Sequence, residues 1–115
     1  MKKVAIVAIG GALGSLLRYL IAEQTNKYEA AIFLANLLGV LVAGVISYRM
    51  KPTESQELFW ITGFAGGFTT FSAYSAESLQ LFQSGHSVSA LVYVAVSNIG
   101  GILFAGLGYT LLKNH

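Results

Sequence analysis

Apolar residues in this chain come in long blocks, without the regular polar interruptions of an amphipathic helix or a half-buried strand. The blocks run from about Val4 to Ala22, Ala30 to Tyr48, Leu58 to Phe82 and Val88 to Leu112. Polar connectors around residues 24–29, 49–57 and 83–87 separate them. About 20 apolar residues wound as a helix cross a hydrocarbon core about 30 Å thick. A helix also pairs its backbone N–H and C=O groups within its own segment, as lipid requires. The short-period alternation of a membrane barrel is missing. The pattern predicts an all-α membrane protein of four transmembrane helices, forming a single domain over residues 1–115.

Composition points the same way. Of 115 residues, 55% are hydrophobic and only 10% charged, whereas a soluble domain carries about 25% charged residues. With no cysteine, disulfides, thiolate metal sites and thiol catalysis are excluded. The seven basic residues are dispersed and form no stripe to follow a nucleic acid backbone. Lys2 and Lys3 precede an apolar run too long for a signal peptide, with no small-residue cleavage site after it. An even number of spans puts both termini on one side, with Lys2, Lys3, Arg49, Lys51 and Lys113. The other side has Lys27, with Arg18 about a turn inside the first span, so the positive-inside rule predicts cytoplasmic termini. Tyr19, Tyr28, Tyr48, Phe59, Trp60 and Tyr109 fall near span ends, where interfacial aromatics collect.

Small residues four apart mark faces on which helices in lipid approach closely: Gly10 and Gly14; Ala35, Gly39 and Ala43; Ser97, Gly101 and Ala105. The third span differs from the others. Around its middle it reads Gly66-Gly67-Phe68-Thr69-Thr70-Phe71-Ser72. Paired glycines weaken a helix by about 1 kcal/mol each relative to alanine, and hydroxyls can satisfy the groups a break sets free. A Gly-interrupted span points to an ion or substrate site near the midplane. The sequence therefore predicts a third helix broken at mid-membrane, within residues 66–71.

Polar residues in the other spans add to this. Asn36 lies within the second. Ser89, Tyr93 and Ser97 recur every fourth residue and share a helix face, with Asn98 on an adjacent one. Phe71 and Tyr74 share a face of the second half of the broken span, and aromatic ring edges carry the partial positive charge that suits an anion. Glu77 is the one carboxylate well inside a span; its place toward the span end favours a structural role, reaching interfacial water or Arg18.

On Gly10-Gly11-x-x-Gly14-x-x-x-Arg18-Tyr19, Asn36-x-x-Gly39 with Gly44 beyond, and above all Gly66-Gly67-x-Thr69-Thr70-Phe71-Ser72, the chain resembles the Fluc (CrcB) family of small bacterial fluoride channels over nearly its whole length. The resemblance implies an antiparallel, dual-topology-type dimer with two pores along the subunit interface. It implies that carbonyls at Gly66 and Thr69 bind one central structural sodium ion together with their dimer mates. Phe71 and Tyr74 match the two pore rings, and Asn36, Thr70, Tyr93 and Ser97 match the polar ion pathway. Arg18 matches an arginine near the pore vestibule. The expected function is passive export of fluoride from the cytoplasm of a bacterial cell.

Two departures stand out. Tyr74 replaces the usual second phenylalanine, and its hydroxyl has three outlets: to donate to fluoride, to narrow the passage or to seek another partner. The basic residues also favour one orientation, whereas a dual-topology homodimer inserts both ways. This leads to the expectation that the chain pairs with an oppositely biased paralogue, or with itself when forced. The rival class is a coupled exporter resembling the small multidrug-resistance family, but those need an acid in the first span and none occurs here before Glu23. A packing-only anchor leaves the Thr69–Ser72 cluster without a task. An enzyme is not expected: no nucleophile–base pair or metal cluster is apparent, and His86 and His115 fall in a loop and the tail.

Overall fold

The structure, a computed structural model, describes residues 1–49 and 51–113. Expectations placed on the side chains of Tyr48, Arg49 and Lys113, and on His115, lie outside the described residues. The described residues are helical and contain no strand. Helix α1 is Lys2–Glu23 and α2 is Tyr28–Arg49. A half-helix, α3, covers residues 54–68; it is followed by α4, Phe71–Gln83, and α5, Ser87–Lys113.

Among the described residues, three helices are long and apolar enough to cross a membrane: Lys2–Glu23, Tyr28–Ser47 and Ser87–Thr110. The remaining expected span, Leu58 to Phe82, falls on α3 and α4, neither of which is long enough alone. At 1.5 Å per residue the 22 residues of α1 reach about 33 Å, against about 20 Å for the 13 of α4.

The third element starts earlier than its apolar run. Thr53 caps α3 through a capping box: Gln56 N–H donates to Thr53 Oγ1 at 3.3 Å and Thr53 N–H to Gln56 Oε1 at 3.0 Å. This satisfies two end groups reciprocally and draws the polar residues from Glu54 onward into the helix. Over Leu58–Ala65 the winding opens to π-type turns, in which each N–H reaches back five residues.

Helices α1 and α3 run parallel. Lys3 pairs with Glu54 at 2.7 Å near one end, Gly10 meets the Phe59 carbonyl, and Gly14 meets Phe64 and Phe68. Helices α2 and α5 are likewise parallel, Leu37 lying against Gly100 and Gly44 against Ala105. Backbone approaches backbone in both pairs because the contact residues are glycine or alanine. In the Ser97–Gly101–Ala105 series, Ala105 packs on Gly44 whereas Gly101 has open space where a side chain would be.

Little of the chain is buried. Ala31, Ile32, Ala35, Leu37, Ala65, Phe68 and Ala90 form the apolar interior. The accessible surface is 7367 Å², whereas a soluble monomer of 12.2 kDa exposes roughly 6,100 Å². The excess carries large apolar side chains such as Val88, Ile99, Ile102 and Leu103, which suits a lipid solvent.

Candidate functional site

The helix breaks at Thr69–Thr70, within the 66–71 stretch where the sequence places it and just beyond the glycine pair. Gly66, Gly67 and Phe68 remain α-helical, and the chain then turns extended at Thr69 (φ −83°, ψ 155°) and Thr70 (φ −148°, ψ 114°). The reason lies in what each residue touches. A Cβ on Gly67 would run into the Gly11 carbonyl of α1, so this glycine serves close packing. The break itself is made by competing hydrogen bonds.

In an unbroken helix Thr70 N–H would donate to the Gly66 carbonyl. Here it donates to Asn36 Oδ1 of α2 at 2.7 Å, and Asn36 Nδ2 returns a bond to the Thr70 carbonyl at 3.3 Å. Ala73 N–H, the helical donor for Thr69, goes instead to Thr70 Oγ1 at 3.0 Å, which makes Thr70 the N-cap of α4. The carbonyls of Gly66 and Thr69 therefore both lose their helical donors. The Gly67 carbonyl is taken up from α1, accepting from Ser15 Oγ at 3.3 Å and Arg18 Nε at 3.4 Å. Thr69 directs its hydroxyl back to the Ala65 carbonyl at 2.9 Å and rests its methyl on Gly39.

Beside the break lies an open cleft of about 220 Å³, lined among others by Asn36, Thr69, Thr70, Phe71, Tyr74, Ser97, Asn98 and Gly101. Phe71 projects from it with 79% of its surface exposed. Its ring centroid is 5.7 Å from that of Tyr74, which is 5.4 Å from that of Tyr93. The rings form a ladder of tilted edges from α4 to α5.

Donors in the cleft can be counted from the bonds already made. Asn36 has used one of its two amide hydrogens. Thr70 Oγ1 and Ser72 Oγ lie 3.1 Å apart and share one of their two protons, leaving the other available. The buried Tyr93 hydroxyl and Ser97 Oγ have no partner among the described residues. Asn98 Nδ2 donates to the Tyr74 hydroxyl at 2.7 Å, so this hydroxyl has a partner for its oxygen and keeps its own proton.

Of the residues expected on the ion pathway, the cleft gathers Asn36, Thr70, Phe71, Tyr74 and Ser97, and Tyr93 joins through its ring. Arg18 is not among the lining residues; it braces the break from α1. Ser89, expected on the same face as Tyr93 and Ser97, is exposed near the start of α5 and outside the lining. Asn98, placed by the sequence on an adjacent face, is in the cleft. The signal for it was its amide inside an apolar span, but only the fold shows that it meets Tyr74. Glu77 is half-buried and forms no ion pair among the described residues, Arg18 being engaged at Gly67.

Residues 5–109 match the family described as CrcB-like protein, Camphor Resistance (CrcB). The chain belongs to the CrcB family. Curated CrcB relatives are named fluoride-specific ion channel FluC. One from Azobacteroides pseudotrichonymphae is 37% identical across 98% of both chains. One from Leptospira interrogans serogroup Icterohaemorrhagiae serovar copenhageni is 39% identical over 98% of this chain and 96% of its own. A relative from Flavobacterium psychrophilum is 38% identical, again over 98% of both. The match takes in the break and both walls of the cleft, so CrcB membership covers every element that builds the site.

Proposed function

We propose that this chain is a passive, fluoride-selective membrane channel and not an enzyme, releasing fluoride from the cytoplasm and so lowering its toxicity. The observation that carries the reading is the broken helix: its gap is held open by Asn36 and faces a cleft furnished with donors but with no lysine. The names of the relatives, all ion channels, support it.

Fluoride is small and strongly hydrated, so a pore must replace water's hydrogen bonds with its own. The spare Asn36 N–H, the hydroxyls and the ring edges of Phe71 and Tyr74 offer such replacements in graded strength. Helix α4 adds its N-terminal dipole, whose first N–H groups have no helical acceptor. No lysine or arginine side chain lines the cleft to trap the ion, so binding stays weak enough for exit.

Four spans follow if α3 and α4 together cross once, and the cytoplasmic side then holds both termini. The cleft is open on the side where Phe71 projects. A second copy packed antiparallel, or an oppositely biased paralogue, would close it and pair two sets of rings. The carbonyls of Gly66 and Thr69, freed of helical donors, are hard oxygen ligands that fit a sodium ion. Two per chain is fewer than such an ion takes, and a second chain would supply the rest. When bound, the ion would add a fixed positive charge that makes a dry interior more favourable to an anion.

Efflux from vesicles reconstituted with the chain tests the proposal. Fast loss of fluoride with chloride retained is expected, without dependence on a pH gradient. Loss driven by a proton gradient would favour an exporter, and retention of fluoride would refute the channel.

A further inference from the structure

Tyr74 and Asn98 stand together in the cleft wall, and their contact fixes more than a distance. Asn98 Nδ2 donates both to the Tyr74 hydroxyl at 2.7 Å and to the Val94 carbonyl at 2.8 Å. A carbonyl can only accept, so the atom that touches both must be the amide nitrogen and the Tyr74 oxygen must be an acceptor. The phenol keeps its own proton, for which no acceptor exists among the described residues. Donation into a hydroxyl oxygen also strengthens the bond that hydroxyl can give.

The neighbouring groups are in the same state. The Tyr93 hydroxyl and Ser97 Oγ are buried and unpartnered, and the Tyr93 ring leans on Tyr74. Three hydroxyl protons in one region thus lack acceptors among the described residues, which suits a small anion hungry for hydrogen bonds. Asn98 itself is exposed, and an amide in a membrane helix does not face acyl chains without reason.

We propose that Asn98 is a positioning residue: it holds the Tyr74 hydroxyl with its proton turned to the cleft, adding a hydroxyl ligand beside Phe71 and tightening the hold on fluoride over chloride. This rests on the fluoride-channel reading. The hydroxyl strengthens binding and leaves the maximum rate to the rings, so its signature is a change in half-saturating concentration.

Fluoride efflux would be measured against fluoride concentration for the full-length wild type, Asn98→Leu, Tyr74→Phe and the double variant, with chloride efflux alongside. Asn98→Leu should raise the half-saturating concentration about fivefold, the scale of one hydrogen bond. Its maximum flux should stay within about twofold of wild type, with chloride exclusion weakened. Tyr74→Phe should give the same rise, with maximum flux kept or increased, and the double variant should go no further than either single one. No shift in Asn98→Leu would overturn the proposal, as would an equal shift added on top of Tyr74→Phe, which is what a purely structural role produces. If Asn98→Leu fails to reconstitute, Tyr74→Phe alone decides: an unchanged half-saturation refutes the hydroxyl ligand. Wild-type vesicles that release no fluoride would remove the channel reading and this one with it, whereas normal wild-type efflux with unshifted variants removes only this one.

Discussion

Replacing Asn36 with leucine keeps the size of the side chain and deletes both bonds that hold the helix open at Thr70. Two forces then compete. The Thr70 N–H and C=O lose partners at a site that is 9% exposed, which costs about 1 kcal/mol per hydrogen bond and about 2 kcal/mol in all. The average side-chain bond between membrane helices, about 0.6 kcal/mol, sets a lower bound near 1.2 kcal/mol. Against this, Thr70 N–H can return to the Gly66 carbonyl and let the helix close. Either outcome damages the channel: one loosens the chain, and the other removes the gap. The expected result is a fall in stability of about 1–2 kcal/mol by denaturation in detergent, together with fluoride efflux reduced at least tenfold. Asn36→Asp is the informative partner variant. It keeps the acceptor for the 2.7 Å bond from Thr70 N–H, loses the donor, and brings negative charge into the cleft. It should therefore fold better than Asn36→Leu yet conduct as poorly. An Asn36→Leu protein with wild-type stability and wild-type efflux would refute the claim that this amide maintains the break.

Phe71→Ile should abolish fluoride throughput while leaving the assembled protein intact by size-exclusion chromatography, because Phe71 buries little within its own chain; retained flux would mean the ring is not in the path. Gly67→Ala drives a methyl into the Gly11 carbonyl, backbone against backbone, and should cost about 1–3 kcal/mol on thermal denaturation. Gly101→Ala, where space is open, should cost almost nothing, and equal effects of the two would contradict the packing described. Expressed alone, the chain should insert mainly with its termini in the cytoplasm when both ends are mapped; an even mixture of orientations would remove the case for a paralogous partner.

The helices were legible because lipid imposes a length, and blocks of that length stand out between polar connectors. The start of α3 was less so: Glu54 and Gln56 look like connector, and only the Thr53 capping box brings them into the helix. The break was legible to within residues 66–71, but its cause was not. Composition marks glycine as the weak point, yet Gly67 is required by the nearness of Gly11, while the opening at Thr70 depends on an amide 34 residues earlier. Arg18 shows the same limit. Its charge inside a span signals a role, but nothing in the spacing says that it turns to the Gly67 carbonyl and away from the cleft. Asn98 needed the fold most. Helical periodicity puts it one step from the Tyr93–Ser97 face, and its meaning comes from a tyrosine on another helix.

The contacts that steady the interrupted segment have a fixed order of synthesis. Ser15, Arg18 and Asn36 all leave the ribosome before residues 67–70, so the receptors for the exposed peptide groups are made ahead of the groups themselves. Neither α3 nor α4 is long enough to span the apolar slab alone, and if the pair crosses once it enters with an unwound joint that lipid will not solvate. On the four-span reading, biogenesis would then have a built-in sequence, in which the first two helices form the scaffold that admits the broken one. A nascent chain lacking them would be expected to stall with residues 54–83 at the water boundary.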